Sequence, residues 1–70
     1  MPHISVKMYP GRDEEAKKNL AIKLKETLMK ELGTEEKYVS VSVEDVPQDE
    51  WKEVVLDKTP EDTLFVKANF

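Results

Sequence analysis

The stretch that decides the fold is residues 1–9, MPHISVKMY, where apolar and polar side chains alternate along the chain. Ile4, Val6 and Met8 fall on one face of an extended chain, and the side chains between them fall on the other. A period of two over this length predicts a half-buried β-strand. The Pro-Gly dipeptide at positions 10 and 11 predicts where this strand ends.

A long helix is predicted next, from residue 13 or 14 to residue 32. Asp13 is the candidate N-cap, and Gly33 is the candidate residue just beyond the C-terminal end. Alanine and leucine side chains recur about every four residues and predict one apolar stripe: Ala16, Leu20, Ala21, Leu24, Leu28 and Leu32. Ile22 and Met29 widen this stripe, either as scattered surface residues or as a second contact surface that meets another subunit.

Residues 38–46 alternate again and predict a second strand with β-branched valines on its buried face. A strand, a long helix and a strand in this order predict a β-α-β unit with parallel strands. Residues 48–56 predict a short second helix or turn, and alternation over residues 64–68 predicts a short C-terminal strand. The predicted fold class is therefore α+β, in a single domain over residues 1–70.

The chain is small, with 70 residues, so it buries only about 60% of its unfolded surface and its core is marginal. It has no cysteine for a disulfide, and one histidine is too few for a zinc site built from imidazoles. We therefore expect self-association, in which two β-α-β units join into a four-stranded sheet. A dimer is favoured, because the C-terminal segment has strand character and could cap the assembly; a hexamer is the alternative. Phe65 and Phe70 are best explained if this segment packs onto a neighbouring subunit.

The charge balance is mildly acidic, at −4, with lysines and acidic residues intermixed along the chain. A general nucleic-acid binder carries a basic face, so we expect no nucleic-acid partner. The apolar runs are only a few residues long and the first residues do not form a signal peptide, so we expect no membrane segment. Together with the lack of cysteines, these features favour a cytoplasmic protein.

The residue best suited to chemistry is Pro2, which becomes the chain terminus once Met1 is removed. Proline is small enough at this position for Met1 to be cleaved, and cleavage leaves a secondary amine. An ordinary α-amino group titrates at roughly 7.7–8.0, and burial or a nearby cation lowers that value. A neutral amine near the working pH is a competent general base, and its conjugate acid returns the proton. Many chains begin Met-Pro without catalytic use, so the rest of the sequence decides.

Four features in order resemble the 4-oxalocrotonate tautomerase family. They are the opening Met-Pro-His-Ile, the Gly11-Arg12 pair that ends the first loop, the alternating second strand, and Trp51 shortly after it. The opening and the stretch from Val43 to Pro47 look closest to the small dimeric branch of that family. The resemblance spans the whole chain, and it implies an isomerase that uses neither a cofactor nor a metal.

The resemblance implies that Pro2 is the base and assigns roles to three further side chains. Arg12 would bind a substrate carboxylate, or would otherwise be a solvated residue beside the helix start. Family members carry an arginine on the second strand where this chain has Ser40, which is either a substrate-binding hydroxyl without charge or an ordinary outward strand residue. Trp51 would line the site and exclude water, or would be a core anchor. His3 is interpreted as a strand or interface residue.

The leading hypothesis is an enol-keto tautomerase of a small enol or α-keto acid, in which Pro2 moves the proton and Arg12 holds the acid. Ser40 in place of an arginine favours a monoacid substrate, or a feeble reaction on diacids. A related proline-dependent hydratase or dehalogenase activity is the second enzymatic hypothesis. A non-catalytic oligomeric interaction module that keeps the fold is the alternative from another class.

The mass of the intact protein, purified without a tag, tests the first condition of the leading hypothesis. We expect a mass lower by one methionine residue than the full sequence, because Met1 precedes a small residue. Retained Met1 would place the Pro2 nitrogen in an amide, which has no basic lone pair. In that outcome the catalytic hypothesis fails for the purified form.

Overall fold

The computed structural model describes residues 1–69 and contains two strands, one long helix and several short helical turns. Strand β1 is His3–Met8, helix α1 is Glu14–Leu32 and strand β2 is Ser40–Asp45. The strands are parallel and are joined through the helix. The predicted β-α-β unit is therefore confirmed.

The sheet has two faces of opposite character, because the register places like residues beside one another. His3 lies opposite Ser40 at one end, and Met8 lies opposite Asp45 at the other. The apolar face, on the side of α1, carries Ile4, Val6, Met8, Val41 and Val43. The opposite face, the polar face, carries His3, Ser5, Lys7, Ser40, Ser42 and Glu44. Alternation along both strands thus produces one surface for packing and one for polar contacts.

β2 is shorter than the sequence pattern predicted, because its first two residues take part in a turn. Residues 36–38 form a 3₁₀ turn, in which the Tyr38 N–H donates to the Glu35 carbonyl at 3.1 Å. The Val39 N–H likewise donates to the Glu36 carbonyl, also at 3.1 Å. These backbone donors are used locally, so the ladder with β1 begins only at Ser40.

α1 begins and ends where its capping residues predict. The Asp13 carboxylate accepts a hydrogen bond from the Ala16 N–H at 2.9 Å, which satisfies one free donor of the first turn. Gly33 has a φ of 67°, and its N–H donates to the Met29 carbonyl at 2.9 Å. Within residues 1–69, neither α1 nor any other helix is both long and apolar enough to cross a membrane.

Two ion pairs connect α1 to neighbouring parts of the chain. Lys17 donates to the Asp45 carboxylate at the end of β2 at 3.1 Å, and Lys25 donates to Glu36 at 2.8 Å. The hydrogen bond from Lys25, followed by its charge, lowers the pKa of Glu36. A lowered pKa stabilises the fold above the ordinary pKa of a glutamate, and this contribution is lost as the pH falls.

The core of a single chain is thin. Val46 is the one hydrophobic residue of the described chain that is fully buried, with 2% of its surface exposed. The leucines of the α1 stripe that face the sheet are half-buried rather than buried, as are the apolar residues of β1. Ile22 is 42% exposed and Leu32 is 64% exposed. These exposures agree with the marginal core expected for a chain of this length.

The segment after β2 contains the predicted short second helix. It opens with a 3₁₀ turn at Gln48–Glu50 and continues as a π-helical turn at Lys52–Leu56. In the π-helical turn the Asp57 N–H donates to the Lys52 carbonyl, five residues earlier, at 2.8 Å. This wider turn brings the neighbouring side chains of Val54 and Val55 to one cleft beside the polar face.

The predicted C-terminal strand is wrong for the single chain, since residues 64–69 form no strand. Residues 61–63 form a 3₁₀ turn instead, and the described sheet contains only β1 and β2. A strand requires a neighbouring edge for its backbone hydrogen bonds, and alternation alone cannot supply one. Phe65 is 93% exposed and Val66 is 85% exposed. Phe70, which was expected, like Phe65, to pack onto a neighbouring subunit, lies outside the described residues.

Replacing Gly33 tests the left-handed end of α1. Gly33→Ala should lower the free energy of unfolding by about 1 kcal/mol, because an alanine at positive φ crowds its own backbone. No other group lies within 4 Å of the added methyl carbon, so backbone strain is the whole cost. Urea unfolding at one fixed protein concentration measures the change.

Gly33→Asn is the matched control, because asparagine tolerates the left-handed region better than alanine does. We expect Gly33→Asn to lose less stability than Gly33→Ala. Equal stability of Gly33→Ala and the unmodified protein would contradict the assigned cap.

Candidate active site

Pro2 lies at the end of the sheet where β1 and β2 begin. The Ser40 N–H donates to the Pro2 carbonyl at 3.3 Å, so the first hydrogen bond of the ladder holds the proline in place. Pro2 is half-buried, whereas Met1 is 96% exposed and lies beyond the sheet. The terminal residue is thus accessible, while the proline beside it is fixed by a strand.

His3 connects the two strands on the polar face beside Pro2. Its Nδ1 lies 2.7 Å from the Ser40 hydroxyl oxygen, and its Nε2 lies 3.3 Å from the Ser42 hydroxyl oxygen. Strand alternation correctly placed His3 on this face, but its two partners depend on the register between the strands. Ser40, predicted as a substrate-binding hydroxyl, is therefore a partner of both Pro2 and His3.

Arg12 lies at the opposite end of β1. It lines a cleft of about 220 Å³ with Met8 at the end of β1 and with the first turns of α1. The rise of a strand, about 3.3 Å per residue, separates Pro2 from the Met8 end by roughly 20 Å. The guanidinium is exposed, and it forms no salt bridge with the part of the chain that the structure describes. It is therefore available to bind an anion, at a distance from Pro2 of the same chain.

Trp51 lies at the same end of the sheet as Arg12. Its ring packs on Tyr9, just after β1, with centroids 4.9 Å apart and planes at 82°. This edge-to-face geometry is typical of a stable aromatic pair. The four predicted site residues therefore form two groups within one chain: Pro2 with Ser40 at one end of the strands, and Arg12 with Trp51 at the other.

A cleft that the sequence did not predict lies along the polar face, between the sheet and the second helix with the residues that follow it. Its volume is about 490 Å³, and it is lined by Ser5, Lys7, Val54, Val55, Lys58 and Thr59. Lys7 donates to the Ser5 hydroxyl at 2.9 Å and lies 3.7 Å from the Glu44 carboxylate. The sequence contained only one signal for this cleft, the valines of the second helix. The turn that places them beside the polar strand residues has no periodic pattern, so the contact could not be predicted.

A second large cleft exposes part of the apolar face. Its volume is about 620 Å³, and Ala21 of α1 lines it together with Val41 and Val43 of β2. One helix therefore leaves part of the sheet uncovered. In residues 1–69 there is no cluster of three histidine, cysteine, aspartate or glutamate residues that could hold a metal ion.

Comparison with known proteins agrees with this architecture. A family model described as "Tautomerase enzyme" matches residues 2–62. A probable tautomerase of Xylella fastidiosa is 47% identical over 55 residues, which cover 79% of this chain and 67% of the relative. Tautomerase PptA of Pectobacterium carotovorum is 38% identical, with 100% of this chain and 97% of the relative covered.

A 2-hydroxymuconate tautomerase of Bacillus subtilis is 35% identical over 51 residues, which cover 73% of this chain and 82% of the relative. The family match begins at Pro2 and includes both strands, α1 and Trp51. The resemblance inferred from the order of short motifs is thus confirmed by matches over most of the chain. The chain belongs to the tautomerase family and is an isomerase.

Proposed function

We propose that this protein interconverts the enol and keto forms of a small enol or α-keto acid, with the Pro2 amine as general base and acid. The observation that carries the proposal is the hydrogen bond from the Ser40 N–H to the Pro2 carbonyl at 3.3 Å. It fixes the residue that becomes the amine, while Met1 stays exposed to cleavage. A base held in place needs no reorganisation before it takes a proton.

The proposed reaction moves one proton and changes no oxidation state. The neutral amine takes a proton from the enol hydroxyl as the carbonyl forms, and the resulting ammonium delivers a proton to carbon. The amine returns to its starting form at the end of the cycle. The reaction is an isomerisation, so its atoms balance without a cofactor or a metal.

We propose that each site is built from two copies of the chain. Arg12 and Trp51 lie roughly 20 Å from Pro2 of the same chain, beyond the reach of one small substrate. A two-fold axis that sets two β1 strands antiparallel would bring the Pro2 end of one copy to the Arg12 end of the other. The uncovered part of the apolar face and the exposed Phe65 support such a pairing. A dimer with a four-stranded sheet is favoured, and a hexamer is the alternative.

Arg12 would bind the substrate carboxylate in this composite site. Its guanidinium stays charged and can form two parallel hydrogen bonds with a carboxylate. Ser40 would add one uncharged hydrogen bond at the Pro2 end, which favours an acid with a single carboxylate. Trp51 would form an apolar wall that excludes water, with its ring oriented by Tyr9.

The alternatives depend on the same two ends of the sheet. A hydratase or dehalogenase activity would use the protonated Pro2 amine as an acid. A non-catalytic oligomer would keep the fold without a working base. The uncharged hydroxyl of Ser40 is the feature that most favours this last alternative.

Covering the Pro2 nitrogen tests its role as the base. A chain with an N-terminal extension keeps this nitrogen in an amide, so it should lose its tautomerase activity on phenylenolpyruvate. The untagged chain should show a rate that rises with pH as the amine loses its proton. Both rates are measured at several pH values from the change in the ultraviolet absorbance of the substrate.

Pro2→Ala is the matched control, because it keeps a terminal amine and should retain part of the activity. Equal activity in the extended and untagged chains would exclude Pro2 as the base. If the untagged chain converts several enol acids no faster than buffer alone does, the non-catalytic module is favoured.

Mixing two inactive variants tests whether one site uses two chains. One variant carries the N-terminal extension and the other carries Arg12→Gln; each alone should have little activity. Unfolded together and refolded, they should regain roughly a quarter of the normal activity, because half of the dimers are mixed and each has one intact site. Mixing without refolding is the control. If no activity returns although mixed dimers form, Arg12 and Pro2 act within one chain.

A further inference from the structure

The imidazole of His3 has no part in the proposed proton transfer, yet two hydrogen bonds hold it beside Pro2. Both ring nitrogens lie within hydrogen-bonding distance of a serine hydroxyl, at 2.7 Å for Ser40 and 3.3 Å for Ser42. The ring is also exposed, so solvent protons reach it. A histidine is the one side chain that ordinarily changes charge near neutral pH.

The charge of the ring determines which way these hydrogen bonds run. An imidazolium has two N–H donors, so both serine oxygens must accept from it. Each hydroxyl hydrogen is then free to point elsewhere. A neutral ring has one donor and one acceptor, so one serine must give its hydrogen to the ring. The shorter contact, with Ser40, is the one that a change of charge affects most directly.

We propose that His3 is a positioning residue that controls whether Ser40 can donate a hydrogen bond to a substrate carboxylate. The inference rests on the proposed function, since it concerns the substrate that Pro2 deprotonates. With the ring protonated, Nδ1 donates to the Ser40 oxygen and the Ser40 hydroxyl donates outward. With the ring neutral and Nδ1 as the acceptor, the Ser40 hydrogen is taken up by the ring. His3 and Ser40 together thus form a pH-dependent donor for an anionic substrate.

The other charged groups on this face are nearer the far end of the strands. Lys7 of β1 pairs with Glu44 of β2 at 3.7 Å, four residues further along each strand than His3 and Ser40. Lys58, from the segment over the polar face, lines the cleft beside Lys7. Four residues of strand correspond to about 13 Å, so these charges act on His3 through screened solvent. The turn before β2 lies at the His3 end of the strands, and its charged residues are paired, Glu36 with Lys25 and Lys37 with Glu35.

The KM for phenylenolpyruvate, measured at two pH values, tests the inference. The two values are about pH 5.5 and about pH 8, on either side of neutrality. We expect the KM of the unmodified protein to rise about tenfold from the lower to the higher pH. A change of this size corresponds to the loss of one hydrogen bond to a charged group. His3→Gln and Ser40→Ala should each remove the part of this rise that comes from the ring. The double variant should resemble either single one.

Lys7→Gln is the matched control, because it removes a positive charge from the same face of the same strand without touching Ser40. Its KM should keep the pH dependence of the unmodified protein. The methyl ester of phenylenolpyruvate, which lacks the carboxylate, should show no such dependence in any variant. A KM–pH profile that is the same in the unmodified protein and in His3→Gln would overturn the inference.

Pro2 also changes charge with pH, so its role must be separated from that of His3. Suppose that the N-terminally extended chain loses its activity while His3→Gln keeps the KM–pH profile of the unmodified protein. This pair of results would support the proposed function and refute only the inference about His3.

If the untagged chain shows no activity, the proposed function fails, and phenylacetate binding tests His3 without catalysis. His3 is the only histidine, so its ring protons give unambiguous NMR signals. Phenylacetate should shift them at about pH 5.5 and bind less well in Ser40→Ala; equal binding would overturn the inference.

Discussion

The parallel pairing of β1 with β2 is the constraint on which the rest of this molecule depends. It begins with the Ser40 N–H on the Pro2 carbonyl and ends with the Val46 N–H on the Met8 carbonyl, at 2.8 Å. Because the register is set along the whole ladder, Pro2 has a defined place beside a hydroxyl and an imidazole. The same ladder separates this end from Arg12. A site that uses both ends for one small substrate, as proposed above, would need two copies of the strand.

Stability and chemistry are linked by this arrangement. Within residues 1–69, a single chain buries one hydrophobic residue completely, Val46, and leaves much of its apolar surface half-covered. The surface that would complete the core is next to the residues that would complete the site. A partner chain would then supply both burial and an arginine, so a change that weakens association would reduce stability and activity together.

Much of the fold could be predicted from the sequence, because its signals are local. Alternation identified β1, and Asp13 with Gly33 identified both ends of α1 within one residue. The wrong strand at residues 64–68 has the same alternation, but a strand also needs an edge from elsewhere in space. The partners of His3 were not predictable for a similar reason, since they depend on register across β2. The packing of Trp51 on Tyr9 could not be predicted either, since the two residues are far apart in the sequence.

The π-helical turn at Lys52–Leu56 has a consequence for how this protein tolerates changes in length. Turns of this kind behave as an α-helix that has received one extra residue. Deleting one residue would let the segment relax into an ordinary helical turn, but each later side chain would rotate by about 100° around the axis. A deletion just before Val54 would therefore turn both Val54 and Val55 away from the cleft that they line. The cleft therefore depends on the number of residues in this segment more than on their identity.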